Sequence, residues 1–183
     1  MPQNFVYFDL ETQRSANDVG GWDKKADMLM SVGVTYSTAR GNYRIYTEDD
    51  VQELIEELLN ADLVVGYNHI SFDYEVLMGY TILDLKEQTS NLDLMLDLEK
   101  QLEHRPKLDA VASACLGQGK SAVGTDAIKW WRQGKYREVA EYCCYDVKVT
   151  KEVHEFGARN GRVAYVNRFN HRGEVPVTWQ FPT

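Results

Sequence analysis

Apolar runs too short for anything but strands alternate with stretches of helical period, and their order predicts the fold. Phe5-Val6-Tyr7-Phe8-Asp9-Leu10-Glu11-Thr12 is aromatic and β-branched, as a buried strand wants, and ends in two acids. Met28–Tyr36 predicts a second strand, Ala39–Asn42 a turn and Tyr43–Tyr46 a third strand, so the chain opens as a meander. Thr47 then caps a helix whose first acids, Glu48, Asp49 and Asp50, suit its positive end. Val51, Leu54, Ile55, Leu58 and Leu59 give that helix one apolar face. Asp62–Tyr67 predicts a fourth strand, its Leu63-Val64-Val65 run suited to burial on both faces. Ser71 is the expected cap of a second helix that stops near Gly79.

Asn91–Leu102 predicts a fifth strand or short helix running into a helical stretch. Leu108–Leu116 predicts a helix closed by Gly117, Ala127–Arg132 a short helix, and Arg137–Phe156 a long one stopped by Gly157. Arg162–Trp179 predicts a terminal hairpin around Asn170-His171-Arg172-Gly173. Between the first two strands, Gln13–Asp27 reads as a long polar loop holding Trp22 and Lys24-Lys25, and long loops are disproportionately functional. A meander, then helix, strand and more helices, predicts a mixed sheet flanked by helices, an α/β arrangement that by analogy resembles the ribonuclease H-like architecture. With no repeat or linker, residues 1–183 are expected to form a single domain.

Composition narrows the function classes. With 44% hydrophobic and 26% charged residues the chain has the profile of a soluble globular protein, and no apolar run approaches the roughly 20 residues a bilayer span needs. The first strand begins almost at the N-terminus, so an intracellular, cytoplasmic protein without a targeting signal or membrane attachment is expected. Cys115, Cys143 and Cys144 have no zinc spacing and are expected to pack, and His69, His104, His154 and His171 show no ligand spacing either. A net charge of −8 speaks against gripping nucleic acid by bulk electrostatics, unless clustered acids are neutralised by bound cations.

The acids supply such a cluster. Alternation along a strand points Asp9 and Glu11 the same way, about 7 Å apart, and hard oxygen ligands suit magnesium or manganese. Asp73 falls in the first turn of the helix after the fourth strand, where alone it would merely complement the helix dipole. Tyr142 and Asp146 share one face of the long helix, where alone they would be a core aromatic and a solvated acid.

Asp-x-Glu-Thr on a strand, Asn68-x-x-x-Phe72-Asp73 at a strand-to-helix junction and Tyr142-x-x-x-Asp146 on a late helix, in that order, resemble the DEDD superfamily of 3′–5′ exonucleases, in the subgroup carrying a tyrosine in its third motif. The resemblance runs from Phe5 to about Phe156. It implies that Asp9, Glu11, Asp73 and Asp146 hold two divalent cations, Mg²⁺ or Mn²⁺. Asp9 would bridge them, Glu11 and Asp146 would hold one, and Asp73 would serve the other through water. Tyr142 would orient the attacking water. Thr12 and Asn68 would touch substrate; apart from the resemblance, Lys120 is expected near the active face, touching substrate phosphate. The implied partner is nucleic acid with a free 3′ end, single-stranded by preference, with a helicase or polymerase as a further partner.

Other motifs carry less. Ala114–Ser121 is a loose nucleotide-loop pattern, but it follows a helix where a phosphate loop must follow a strand. Lys129–Arg137 interleaves cations with Trp130, Trp131 and Tyr136, a composition that serves base stacking or simply anchors a helix. Arg159, Arg162, Arg168 and Arg172 around the hairpin could guide a strand or protect a sheet edge. The alternatives to an exonuclease are a non-catalytic nucleic-acid-binding or docking module, and a phosphatase using Asp9. Phosphatases of that kind carry Asp-x-Asp, and Glu11 stands at the second position.

Overall fold

The computed structural model describes residues 3–117, 124–167 and 169–181. Strand β1 (Phe5–Thr12) runs up the middle of a five-stranded sheet and is followed by a short helix, α1 (Ala16–Val19), and a 3₁₀ segment, Trp22–Met28. Strands β2 (Met30–Ser37) and β3 (Asn42–Tyr46) complete the meander, and helix α2 (Val51–Leu59) leads to β4 (Leu63–Gly66). Helices α3 (Asp73–Leu77) and α4 (Leu85–Gln88) precede β5 (Asn91–Asp93), which runs directly into α5 (Leu94–Leu102). Then come α6 (Leu108–Leu116), α7 (Gly124–Arg132), the 25-residue α8 (Tyr136–Asn160) and a hairpin of β6 (Arg162–Val166) and β7 (Arg172–Pro176). Sheet order is β3-β2-β1-β4-β5, antiparallel on the β2 side of β1 and parallel on the β4 side. The mixed sheet flanked by helices, with its terminal hairpin, is the ribonuclease H-like arrangement the sequence predicts.

Period-two alternation sorts β1 between two cores. Val6, Phe8 and Leu10 pack with Leu54, Leu58 and Leu77 under α2 and α3, while Phe5 and Tyr7 pack with Val139, Cys143 and Val147 of α8. Asp9 and Glu11 continue the second set, so the strand that buries Tyr7 against α8 also aims both acids at that helix. Among the described residues no helix is long and apolar enough to cross a membrane.

Several local expectations change. Gln13–Asp27 is built from α1 and the 3₁₀ turns, with Ser15 and Asp18 forming a reciprocal capping box on α1. Such one-turn helices bury too little to leave a periodic signal. Phe72, with no side-chain cap, stands at the start of α3 in place of Ser71. The turn before it is held by a distant residue, Asp93, which takes the backbone N–H groups of Asn68 and Ile70. The long helix runs through Gly157 and stops at Gly161, whose φ of 66° is the left-handed cap. Gly157 serves close approach, since a Cβ there would lie 2.4 Å from Cε3 of Trp179. Trp179 in turn donates Nε1–H to Asp97 at 2.8 Å, seating the C-terminal segment on α5 and α8.

Candidate active site

The site stands where β1 outlasts its parallel neighbour. β4 pairs with β1 through Phe5, Val6 and Tyr7, and beyond Tyr7 that edge of β1 has no strand partner among the described residues. Asp73, at the start of α3 and buried, reaches into the gap, and its Oδ1 accepts the Leu10 N–H at 3.0 Å. From the other side α8 lies across β1 and carries Tyr142, Cys143 and Asp146 to the acids. Carboxylate oxygens of Asp9, Glu11 and Asp146, all half-buried, come within 4.8 Å of one another. Asp73 is outside that trio but lines one cavity with Asp9 and Glu11.

Electrostatically the cluster is frustrated. Burial, and then the charges of Asp73, Asp146 and Glu11, push Asp9 well above the usual carboxylate range. Glu11 is pushed up in the same way, by burial and then by Asp146 and Asp73. Asp146 rises to about 7, chiefly from burial, although Tyr142 donates a hydrogen bond to it. Asp73 also reaches about 7, burial outweighing its hydrogen bonds from Leu10 and its own backbone, with Asp93 and Asp146 adding repulsion. Among the described residues no Lys or Arg is paired with any of the four. Crowded oxygen donors raising one another's proton affinity fit a hard divalent cation, which relieves the repulsion it is held by.

The neighbours fix the geometry. Tyr142 is held above its usual range by burial and by the charges of Asp146, Glu11 and Asp9, so it keeps its proton. Trp130 of α7 packs edge-to-face on the Tyr142 ring, centroids 6.2 Å apart at 71°. Both Trp130 and Trp131 lean on the core, and Trp130 thus also braces a predicted site residue. Cys143, expected only to pack, directs its thiol at the Asp9 carbonyl and Oδ2 at 3.4 and 3.5 Å.

Of the expected substrate contacts, Thr12 lines the cavity but gives its hydroxyl to the Arg14 carbonyl at 2.9 Å. Asn68 also lines it, in a left-handed conformation with φ 67°, and its buried Oδ1 has no hydrogen-bond partner. Lys120 and Arg168 lie outside the described residues. Arg162 pairs with Glu174 at 3.3 Å, Arg172 reaches the Ala114 carbonyl and Arg159 stacks over Phe181, so these cations serve the hairpin's own attachment. His69 and His154 are fully buried: His69 contacts Asn91 and Asp93, and His154 accepts from or donates to the Tyr7 hydroxyl at 2.8 Å.

Sequence reasoning passes over Asp93. Its Oδ1 takes the Asn68 and Leu96 N–H groups and its Oδ2 that of Ile70, so one side chain caps α5 and shapes the loop before Asp73. The signal available was an aspartate directly before the apolar period of Leu94, Met95 and Leu98, the usual mark of an N-cap.

A family model described as RNase_H superfamily matches residues 6–156, the span from β1 through most of α8 that builds this site. The chain belongs to the RNase H superfamily. Its fold is similar to that of the family B DNA polymerase from the hyperthermophilic archaeon Pyrobaculum calidifontis, with a TM-score of 0.62 at 15% identity. The likeness covers 86% of this chain and 25% of the polymerase, and at that identity it speaks to the fold alone. No curated protein matches the sequence. Superfamily membership and the acidic trio together point to nuclease chemistry supported by metal.

Proposed function

We propose that the protein is a 3′–5′ exonuclease of the tyrosine-bearing DEDD group, dependent on two Mg²⁺ or Mn²⁺ ions, that removes nucleoside monophosphates from single-stranded 3′ ends. The observation that carries this reading is the convergence of Asp9, Glu11 and Asp146 within 4.8 Å, with the Tyr142 hydroxyl donating to Asp146. The order of motifs along the chain and the superfamily support it. Membership of that superfamily, with the acidic cluster, supports a nucleic-acid substrate.

Asp9, Glu11 and Asp146 would hold one cation, and Asp73, with Asp9 shared, the second. Bound there, the pair would supply Lewis acidity and charge neutralisation to a phosphodiester undergoing hydrolysis. The chain's own contribution is placement. β1 and α8 hold their carboxylates in fixed register, and the Leu10 N–H fixes one oxygen of Asp73. Tyr142, its proton retained, orients a water from Oη and does not act as base. Thr12 and Asn68 line the pocket and would meet the terminal nucleotide, and Lys120 would meet phosphate.

The test is degradation of matched 5′-labelled DNA and RNA oligonucleotides with Mg²⁺, Mn²⁺ or EDTA, beside Asp9→Ala and Asp146→Ala. A ladder shortening from the 3′ end, absent in EDTA and in both variants, is expected. Near-normal release by either variant would refute the assignment. A protein that binds but releases nothing from any substrate would be a nucleic-acid-binding module.

A further inference from the structure

Trp22 leaves 67% of its surface exposed at the rim of the cavity that Asp9, Glu11 and Asp73 also line. Exposing a large aromatic is costly, and Trp130, Trp131 and Trp179 are at least partly buried against the core. Nor is the exposure that of a loose loop. The segment is pinned at its base, where Arg14 N–H meets the Met28 carbonyl at 3.1 Å and Gln13 N–H that of Leu29 at 2.9 Å. Asp18 ties it to α7 through Arg132 at 2.5 Å, and the Gly20 and Gly21 N–H groups both return to the Ala16 carbonyl, at 3.0 and 2.8 Å. The two glycines take φ of 91° and 148°, a path that side-chain-bearing residues resist, and Trp22 follows immediately. The backbone is built to hold an indole out at this spot.

What the indole faces is equally specific. Phe72 packs against it edge-to-face, centroids 6.4 Å apart at 61°. Met28 and Ile128 complete an apolar slot within a cavity of about 550 Å³, which Asn68 also lines. A slot with aromatic and aliphatic walls and a carboxylate cluster alongside suits a nucleobase whose own phosphodiester lies at the acids.

Resting on the exonuclease reading above, we infer that Trp22 stacks on the base of the 3′-terminal nucleotide and thereby sets the affinity for an unpaired end. A 3′-terminal base held in a pair is fixed in the duplex and must be unpaired before it can turn into the slot beside Trp22, a cost an unpaired end does not bear, which makes the residue a determinant of strand preference.

The test crosses Trp22 with the base. Binding of single-stranded decamers, DNA and RNA in parallel, with a normal or an abasic 3′-terminal residue, is measured by fluorescence anisotropy with Ca²⁺ in place of Mg²⁺, for wild type, Trp22→Ala and Trp22→Phe. On the normal end Trp22→Ala is expected to raise Kd about tenfold or more, and Trp22→Phe by less, as loss of one base–aromatic stack predicts. On the abasic end all three proteins are expected to bind alike. Equal affinity of wild type and Trp22→Ala for the normal end, an equal loss on both ends, or no oligonucleotide binding at all overturns the inference. Coupling between Trp22 and the base without nucleotide release in Mg²⁺ would uphold Trp22 and remove the exonuclease reading. Release in Mg²⁺ without coupling would do the reverse.

Discussion

Asp73 closes a gap in the sheet with the same carboxylate that faces the other acids: its Oδ1 accepts the Leu10 N–H at 3.0 Å just past the point where β4 stops pairing with β1. The two duties separate by substitution. Asp73→Ala leaves a buried N–H unsatisfied and is expected to cost about 1–3 kcal/mol in urea denaturation of the metal-free protein. Asp73→Asn keeps an oxygen for Leu10 and removes a repelled charge, so its metal-free stability is expected to stay within about 1 kcal/mol of wild type or exceed it. Both variants are expected to lose nucleotide release by more than a hundredfold, the loss of a metal ligand being common to them. Equal stability of Ala and Asn variants would show that the Leu10 contact contributes nothing.

Metal-free stability is expected to fall as pH rises through the site's titration range. Asp73 and Asp146 hold protons up to about 7 in the folded chain, and Asp9 and Glu11 are also raised, against ordinary carboxylate values when unfolded. Between about pH 4 and 7 the folded state therefore binds more protons, and the stability those protons bring is lost as pH climbs through the folded values. His154 opposes this, since burial lowers it to about 4 and its neutral form favours folding more as pH rises. The site's share is the difference between wild type and Asp146→Asn, followed as Tm against pH in EDTA. Mg²⁺ or Mn²⁺ at about a hundred times its Kd at pH 7 is expected to add about 2.7 kcal/mol there, and at that same concentration the gain grows with pH because protons compete for the same oxygens. A Tm unmoved by either cation at pH 8 would contradict a metal site.

Tyr142 and Trp130 are expected to act as a unit. Tyr142→Phe removes the donor to Asp146 without altering any ligand, so kcat is expected to drop about ten- to a hundredfold while the metal dependence stays near wild type. Trp130→Leu removes the edge-to-face brace and is expected to lower kcat several-fold. In the double variant the effect of Trp130→Leu should vanish, since the brace has nothing left to position. Additive losses would place Trp130's role elsewhere.

How much of this could be read from the chain depends on how local the cause is. β1, the amphipathic α2 and the face shared by Tyr142 and Asp146 announce themselves through periods of 2 and 3.6, because each buries a continuous stripe. The start of α3 and the end of α8 were misplaced because their causes are distant: Asp93 holds the turn before α3, and Trp179, not a helix stop, is the reason for Gly157. The same blindness applies in the site. Spacing puts Asp9 and Glu11 on one face, but nothing local says that Cys143 will touch Asp9 or that Trp22 will be held beside Asp73's cavity.

Asp93 is where that distant cause can be tested. Its carboxylate satisfies three backbone donors, Asn68 at 2.8 Å, Ile70 at 3.1 Å and Leu96 at 3.2 Å, and it is buried. Asp93→Ala orphans all of them and is expected to cost about 3 kcal/mol or more, beyond the loss from Asp73→Ala. Asp93→Asn can keep Oδ1 on Asn68 and Leu96 but turns an amide N–H₂ toward the Ile70 N–H, so an intermediate cost is expected, about 1–2 kcal/mol. Its charge also helps to raise Asp73, so the Asn variant should carry a less elevated Asp73. The loop carrying Asn68 then loses an anchor while the metal ligands remain. Measured on folded protein, the Asn variant is accordingly expected to raise KM for an oligonucleotide more than it lowers kcat. A fall in kcat with KM unchanged would mean that Asp93 acts on the metal ligands and not on the loop that meets substrate.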